Sequence, residues 1–258
     1  MRGSEHVVRM TIMIIWFAAA CSVLFASRLA VAGPPFVTDD PEPVAYQHHE
    51  FYIATQLTKT AGGTSGTLPH IEYNYGPIPD LMIHILIPYA FSDPENGSWE
   101  NGPGDIELGV KYRFLQETDR LPMAGVFPLV VTSTGDIKKG LGNGSIQMFL
   151  PLWLQKGWGS WQTYGGGGYW INNADGAKNH WFFGWQLQKD LSEKLTLGGE
   201  IFYTTAEASG EDNSMGFNLG GISNINERNH LLFSFGRGLS NISATNEFSS
   251  YLGYQWTW

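Results

Sequence analysis

Apolar and polar residues alternate along much of this chain, most clearly in the segment 105–114, DIELGVKYRF. Successive side chains of a β-strand point to opposite faces, so this period of two predicts a strand with one apolar and one polar face. The last segment, 248–258, follows the same pattern and places Tyr254, Trp256 and Trp258 on one face. Soluble sheets also alternate in this way, so the pattern predicts strands without fixing their surroundings.

The chain after residue 47 divides into twelve strand-like runs that are separated by turn-forming residues. Antiparallel barrels of bacterial outer membranes have an even number of strands, so this count predicts one closed transmembrane β-barrel over residues 48–258. The predicted strands are 50–58, 68–75, 81–91, 105–114, 123–133, 144–155, 160–171, 180–188, 195–205, 214–223, 230–238 and 247–258.

The connections between these runs differ in length. If the amino terminus lies on the inner side, the odd-numbered connections face outward, and the even-numbered ones, which face inward, are mostly short. Long outward loops and short inward turns are the usual asymmetry of outer-membrane barrels. The longer outward connections include 92–104, 134–144 and 206–214, and the short inward ones include 76–80, 156–160 and 224–229.

The bulk composition favours a barrel over a bundle of membrane helices. Hydrophobic residues make up 43% and charged residues 15% of the 258 residues, yet the mean hydropathy is −0.15. The apolar groups must therefore be scattered among polar ones, as the wall of a barrel requires. A formal net charge of −9 without a basic stripe argues against a nucleic-acid partner.

The first 32 residues have the features of a cleaved secretory signal peptide. Arg2 and Arg9 precede an apolar run at 11–26, and the small residues AVA at 30–32 suit a cleavage site. Two alternatives stay open, an uncleaved helical anchor and a lipoprotein acylated at Cys21, although a spanning helix needs roughly 20 apolar residues. No later apolar stretch is long enough to form a membrane helix, so the rest of the chain can enter a membrane only as strands.

Between the signal peptide and the first run lies the segment 33–47, GPPFVTDDPEPVAYQ, which is rich in proline and acidic residues. Proline lacks the backbone donor and has a fixed φ, so this segment does not suit the interior of a sheet. It is predicted to be an extended tail or a plug, on the side of the barrel where the chain begins.

The carboxyl-terminal strand carries a predicted assembly signal. An aromatic last residue preceded by apolar residues at every second position resembles the β-signal of bacterial outer-membrane proteins. Tyr254, Trp256 and Trp258 are the candidate signal residues, and the expected partners are the barrel assembly machinery and outer-membrane lipid. Pairing of this strand with the first one would close the wall and remove the free edges of the sheet.

Several segments resemble a family of bacterial outer-membrane transporters that is grouped with proteins of the meta-pathway of phenol degradation. The resemblance covers nearly all of the chain after the signal peptide. It implies a barrel that passes small hydrophobic or aromatic compounds, and it implies no particular functional residues. The segments that carry it are 33–43, 104–114, 141–156, 163–172 and 191–203.

The inward faces of the strands are predicted to line the lumen, and their chemistry is mixed. Glu107, Lys111 and Arg113 carry charges there, and they either pair across neighbouring strands as a polar filling or border a permeation path. One sector is apolar instead, which suits either a small hydrophobic solute or tight packing against a plug. The candidate lining residues of this sector are Leu86, Val126, Phe149 and Trp153.

Three predicted strands contain an interior proline, namely Pro88, Pro128 and Pro151. Each proline removes one donor from the ladder, in surroundings where an unpaired backbone group costs several kcal/mol. These positions are therefore predicted to be bulges or bends, or kinks close to a rim of the barrel.

The sequence predicts no enzyme motif and no metal site. The histidines after residue 32 lie in no recognisable nucleophile motif, and the adjacent His48 and His49 form at most a weak metal pair. The only cysteine, Cys21, lies in the predicted signal peptide, so neither a disulfide framework nor a thiolate site is expected. We therefore predict no catalytic residue, no metal and no cofactor.

Taken together, these patterns predict an outer-membrane barrel that allows passive transport of small hydrophobic or aromatic solutes. Two other classes of function stay open: a structural or adhesive barrel that acts through its outward loops, and a lipid-modifying barrel enzyme. Solute uptake into liposomes separates the channel from both of these, and lipid hydrolysis in detergent identifies the enzyme.

Overall fold

Fourteen strands of a single antiparallel sheet make up most of residues 34–258, the part of the chain that the computed structural model describes. A 3₁₀ turn at Ile137–Lys139 and a short helix, α1, at Ile242–Thr245 lie in connections. The strands are β1 His49–Thr60, β2 Gly63–Ile78, β3 Leu81–Pro94, β4 Glu100–Pro103, β5 Glu107–Leu115, β6 Met123–Val126, β7 Leu129–Val131, β8 Gln147–Trp158, β9 Trp161–Asn172, β10 His180–Ser192, β11 Leu195–Thr204, β12 Ser214–Asn226, β13 Asn229–Ser240 and β14 Phe248–Thr257.

The wall closes where β1 pairs with β14, from Glu50 opposite Thr257 to Lys59 opposite Phe248. β4 and β5 both pair with β3 and together fill one position in the wall. β6 and β7 both lie between β5 and β8 and fill another. The fourteen strands therefore fill twelve positions, which confirms the predicted closed antiparallel barrel of twelve strands.

The alternation in the sequence separates the outside of the barrel from the inside. In β5, Leu108 and Val110 are exposed, whereas Lys111 is buried. In β14, Trp256 is exposed and Gln255 is buried. A soluble sheet would bury its apolar face, but this barrel turns it outward, as a wall in contact with lipid requires.

All three interior prolines lie beside interruptions of the wall. Pro128 separates β6 from β7, and Pro151 of β8 lies opposite this gap. Pro88 lies where the partner of β3 changes from β5 to β4, and its carbonyl accepts a hydrogen bond from Gly104 N (2.9 Å). Because proline cannot donate to the ladder, continuous pairing ends at these points.

The outward connection predicted at 92–104 is wrong in its extent. β3 continues to Pro94, and Tyr89 to Ser92 pair with β4, so much of this segment belongs to the wall. Glycine, proline and acidic residues in the segment hide the period of two that would have indicated a strand. The connection 132–146, which was predicted to face outward, is long, and the connection 159–160, which was predicted to face inward, is short.

The predicted signal peptide, 1–32, and the predicted first mature residue, Gly33, lie outside the described residues. β1, the first strand of the barrel, begins at His49. No helix among residues 34–258 is long and apolar enough to cross a membrane.

Candidate permeation path

Residues 34–47 form a segment that we call the lumen segment, which runs through the interior of the barrel as far as Val44 and is exposed from Ala45 to Gln47. Thr38 and Asp40 are only 0% and 2% exposed, and Pro41 and Val44 are also buried. The segment ends at the inner turns, where Gln47 N donates a hydrogen bond to a carbonyl at the end of β2 (2.7 Å). It therefore occupies interior space that a solute crossing the barrel would need.

A carboxylate of β11 holds the amino-terminal part of the lumen segment. Glu200 accepts hydrogen bonds from Val37 N (2.8 Å) and Thr38 N (2.7 Å), and also from Asn218 Nδ2 (2.6 Å). On the far side of β12, Ser234 Oγ donates to the carbonyl of Pro35 (2.6 Å). These bonds satisfy backbone groups of a segment that has no strand partner of its own.

Lys111 of β5 holds the middle of the lumen segment through charge. It is 1% exposed, and its Nζ lies 2.9 Å from Asp39 Oδ1 and 3.5 Å from Asp40 Oδ1. The same ammonium lies 4.9 Å from the centre of the Phe127 ring. A buried ammonium group requires such partners, because an unpaired charge in a protein interior is strongly destabilising.

In the carboxyl-terminal part of the lumen segment, Glu42 contacts polar side chains of the wall. Its Oε2 accepts a hydrogen bond from Gln155 Nε2 (3.0 Å), and its Oε1 lies 3.8 Å from Arg113 Nη1. Arg113 is more closely engaged with Asp80 in the inner turn, at 2.7 Å. Burial, reinforced by the nearby charge of Asp40, raises the pKa of Glu42 from 4.5 to about 6.

Apolar side chains form a cluster inside the barrel, beside the interrupted part of the wall. Phe149 stacks on Trp170 (ring centres 4.7 Å apart) and meets the edges of Trp153 and Phe182 at 6.3 Å and 6.2 Å. Val44 places the lumen segment against these rings. The members of this aromatic cluster are Val44, Met82, Phe127, Phe149, Trp153 and Phe182, with Leu129, Trp170 and Phe202 at its margin.

Glycines of β9 and β10 allow this close packing. A Cβ placed on Gly168 would come within 2.5 Å of the Phe149 ring, and one on Gly166 within 3.0 Å of Trp153. At Gly184 of β10, a Cβ would overlap the side chain of Thr38. Gly166, Gly168 and Gly184 therefore leave room for rings and for the lumen segment against the wall.

Six of the predicted lining residues lie on the inner side of the wall. Phe149 and Trp153 belong to the aromatic cluster, Lys111 and Arg113 contact the lumen segment or its neighbours, and Leu86 borders a cavity. The sixth, Glu107, lies 3.1 Å from His84 Nε2, and His84 Nδ1 lies 2.7 Å from Asn74 Oδ1.

The prediction that Val126 lines the lumen is wrong. Its cross-strand partners are Tyr112 and Leu152, whose side chains are exposed on the outer face, so Val126 points outward with them. Gly125 and Phe127 face inward instead, and Phe127 was missed as a lining residue. The run 123–131 is apolar on both faces, so its sequence does not indicate which of its residues face inward.

A cavity of about 360 Å³, which we call the outer cavity, lies at the amino-terminal end of the lumen segment. Pro34 to Val37 border it on one side, and the ends of strands leading to the outward connections border it on the other. Its lining includes Leu57, His70, Glu72, Leu86, Phe202, Glu207, Met215, Asn246 and Tyr251.

Among residues 34–258, no group of three or more His, Cys, Asp and Glu side chains could hold a metal ion. The predicted assembly residues Tyr254, Trp256 and Trp258 all lie exposed on the outer face of the closing strand or just after it. His49 stacks between Tyr75 and Trp258, with ring centres 4.5 Å and 5.0 Å apart.

No protein-family model matches the chain, and no curated protein matches it in sequence. Among solved structures, it is similar to the COG4313 outer membrane channel from Pseudomonas putida F1. The TM-score is 0.69 at 16% identity, over 88% of this chain and 100% of that chain. It is also similar to the KdgM porin (TM-score 0.56, 7% identity) and the NanC porin (0.55, 6%), each over 80% of this chain and 98% of the other.

At these identities the likeness establishes the fold. The predicted grouping with proteins of phenol degradation stays a prediction. The closed wall and its apolar outer face agree with that fold, because within lipid a sheet must close so that the backbone N–H and C=O groups of every strand are hydrogen-bonded. The chain is therefore a β-barrel of the outer-membrane type, located in the outer membrane.

Proposed function

We propose that this protein is a passive outer-membrane channel for small hydrophobic solutes, in particular aromatic ones. The observation that carries the proposal is the aromatic cluster in the interior of a barrel whose wall already faces lipid. A water-filled pore needs no buried aromatic lining, whereas apolar surfaces with a few polar groups bind apolar ligands. The fold shared with an outer membrane channel and two porins supports a channel function.

The interrupted wall supplies a route between this cluster and the bilayer. Phe127 of the cluster directly precedes Pro128, and Pro151 lies between Phe149 and Trp153 on β8. Fewer ladder hydrogen bonds hold the wall here, so a sideways opening breaks fewer bonds than elsewhere. Val44 packs on the same rings, so a solute that binds there displaces part of the lumen segment.

Uptake into proteoliposomes with lipopolysaccharide in the outer leaflet tests the proposal. Protein-free vesicles give the background, because aromatic solutes also cross lipid unaided. The double replacement Phe149→Gln and Trp153→Gln should remove most protein-dependent uptake of toluene. The matched pair Phe149→Leu and Trp153→Leu keeps an apolar surface and should retain it.

Circular dichroism and heat-modifiable migration on gels would verify that both double variants fold. Unchanged toluene uptake in the glutamine pair would mean that the cluster is packing rather than a path. Faster protein-dependent passage of arabinose than of toluene would refute a hydrophobic substrate altogether. The adhesive and lipid-modifying alternatives both predict no protein-dependent uptake, and phospholipid hydrolysis in detergent would identify the second.

A further inference from the structure

Two cations lie exposed on the outer face of the wall, at the same level of the barrel. Arg237 shares the outer face of β13 with the exposed Phe235, and Lys59 of β1 is the cross-strand partner of the exposed Phe248. Ser249 of β14 pairs with the residue that precedes each cation, so the two cations stand level on either side of β14. Because neighbouring strands lie about 4.8 Å apart, their backbones are about 10 Å apart.

The level of these cations corresponds to one edge of the apolar band. At about 3.3 Å per residue and a strand tilt of about 40°, Phe248 and Trp256 of β14 lie about 20 Å apart along the barrel axis. This is close to the roughly 25 Å height of an apolar band, so Trp256 marks one membrane interface and Phe248 the other. The long connections 132–146 and 205–213 leave the wall at the end that carries the cations, which indicates the outer leaflet.

Neither cation forms an ion pair with a carboxylate among residues 34–258. Asp93 lies two strands beyond Lys59 in the cross-strand pairing, and Glu247 directly precedes Phe248, but neither carboxylate pairs with Lys59 or Arg237. A guanidinium group binds phosphate through two parallel hydrogen bonds, and an ammonium group binds it as a point charge. Two unpaired cations at a membrane interface therefore favour a lipid that carries phosphate.

The wall between the cations and the middle of the band suits an acyl chain. After Phe248, the next outward residue of β14 is Ser250, whose cross-strand partners are Phe235 and Leu57. A small side chain between two large ones leaves a shallow groove along β14, which leads to the exposed Leu252. A hydrocarbon chain that lies in this groove gains dispersion contacts on both sides.

We propose that Arg237 and Lys59 form a binding site for lipid A, the phosphorylated glycolipid of the outer leaflet, with one acyl chain along the groove at Ser250. Lipid A carries a phosphate at each end of a disaccharide, so one molecule can contact both cations. A phospholipid such as phosphatidylglycerol carries a single phosphate and can contact only one. The site goes beyond the proposed function, because it lies on the outer face of the wall and not in the lumen.

Native mass spectrometry of the protein, purified from outer membranes and delipidated in detergent, tests this with three probes: diphosphorylated lipid A, its monophosphoryl form and phosphatidylglycerol. One molecule of diphosphorylated lipid A should bind saturably, about tenfold tighter than either other probe. Arg237→Gln and Lys59→Gln should each weaken it about tenfold, and each should bind the two forms of lipid A about equally, since one cation remains. Lys189→Gln is the matched control, because Lys189 also lies on the outer face, 4.9 Å from the centre of the Trp161 ring, at the other membrane interface, and its replacement should change nothing.

Equal affinities for phosphatidylglycerol and diphosphorylated lipid A would overturn the proposal, because the two cations would then be general interface anchors. Full affinity for lipid A in both glutamine variants, or an equal loss in Lys189→Gln, would overturn it as well. Heat-modifiable migration on gels verifies that each variant folds. Ser250→Trp fills the groove without removing a charge, so it gives an independent variant if a glutamine replacement lowers the folded yield, and it too should weaken lipid A.

Discussion

Trp258 and His49 form the final contact of the barrel seam. His49 N donates to Trp258 O (2.9 Å), Trp258 N donates to His49 O (3.2 Å), and the two rings stack with their centres 5.0 Å apart. The last residue of the chain is thus tied to the first residue of β1 by both backbone and side chain.

Deleting Trp258 should therefore lower the folded fraction several-fold, because it removes two backbone hydrogen bonds and the stacking of the Trp258 ring with His49 and Trp256 at the point of closure. The heat-modifiable folded form on gels measures this. Trp258→Phe keeps the backbone bonds and a ring and should fold nearly as well as the parent. A normal folded yield after the deletion would contradict an assembly role for this residue.

Replacing Gly184 with valine should displace the lumen segment, since even a Cβ at this position overlaps Thr38. Single-channel recording should then show a larger ion conductance than in the parent protein. Gly62→Ala, at a glycine where a Cβ makes only an ordinary contact at 3.5 Å, is the matched control. Identical conductance in the two variants would indicate that the segment does not limit passage.

Lys111→Met should also loosen the lumen segment, because it removes the cation beside the buried carboxylate of Asp40 and the partly buried carboxylate of Asp39. Breaking a buried ion pair from one side costs about 3–5 kcal/mol. Conductance should rise and the thermal midpoint should fall. Lys139→Gln, which breaks an exposed 3.6 Å pair with Glu100, should change neither by a measurable amount.

Adding Asp39→Asn and Asp40→Asn to Lys111→Met should partly restore low conductance, since the uncompensated charge is then gone. A triple variant as open as the single one would assign the effect to lost packing of the lysine stem.

Docking of the lumen segment should weaken as pH rises through about 6. Burial raises the pKa of Glu42 from 4.5 to about 6, so the protonated form favours the docked state. The stabilising effect of that proton is complete below pH 4.5 and is lost above 6, a change of about 2 kcal/mol. Asp40, Arg113 and Lys111 are the charged groups that act on Glu42.

Conductance should accordingly be higher at pH 7.5 than at pH 5.5. Glu42→Gln should give the low value at both pH values, because the amide mimics the neutral acid. A pH response that persists in Glu42→Gln would assign the titration to another group.

The sequence predicts the wall of this barrel better than its interior. Strands such as β5 and β14 alternate strictly, so both their existence and their inward residues follow from the pattern. In the run that contains Val126, both faces are apolar, and only the register with β5 and β8 fixes which residues point inward. β4 lies in a polar, glycine-rich segment, and its pairing with β3 leaves no trace in periodicity.

The contacts of the lumen segment could not be predicted in the same way. Its proline-rich composition indicates only that it is not a strand. Its bonds to Glu200 and Lys111 join positions 162 and 72 residues apart in sequence. Such pairings depend on the closed shape of the barrel rather than on any local pattern.

The lumen segment is fastened to strands on several sides of the wall: to Lys111 on β5, Gln155 on β8, Glu200 on β11 and Ser234 on β13. A member attached in this way acts as a cross-brace, which resists flattening of the circular cross-section. The wall is least continuous near β6 and β7, close to two of these attachments. Releasing the segment therefore does more than open the lumen. It also makes the barrel mechanically softer on the side where β6 and β7 interrupt the wall.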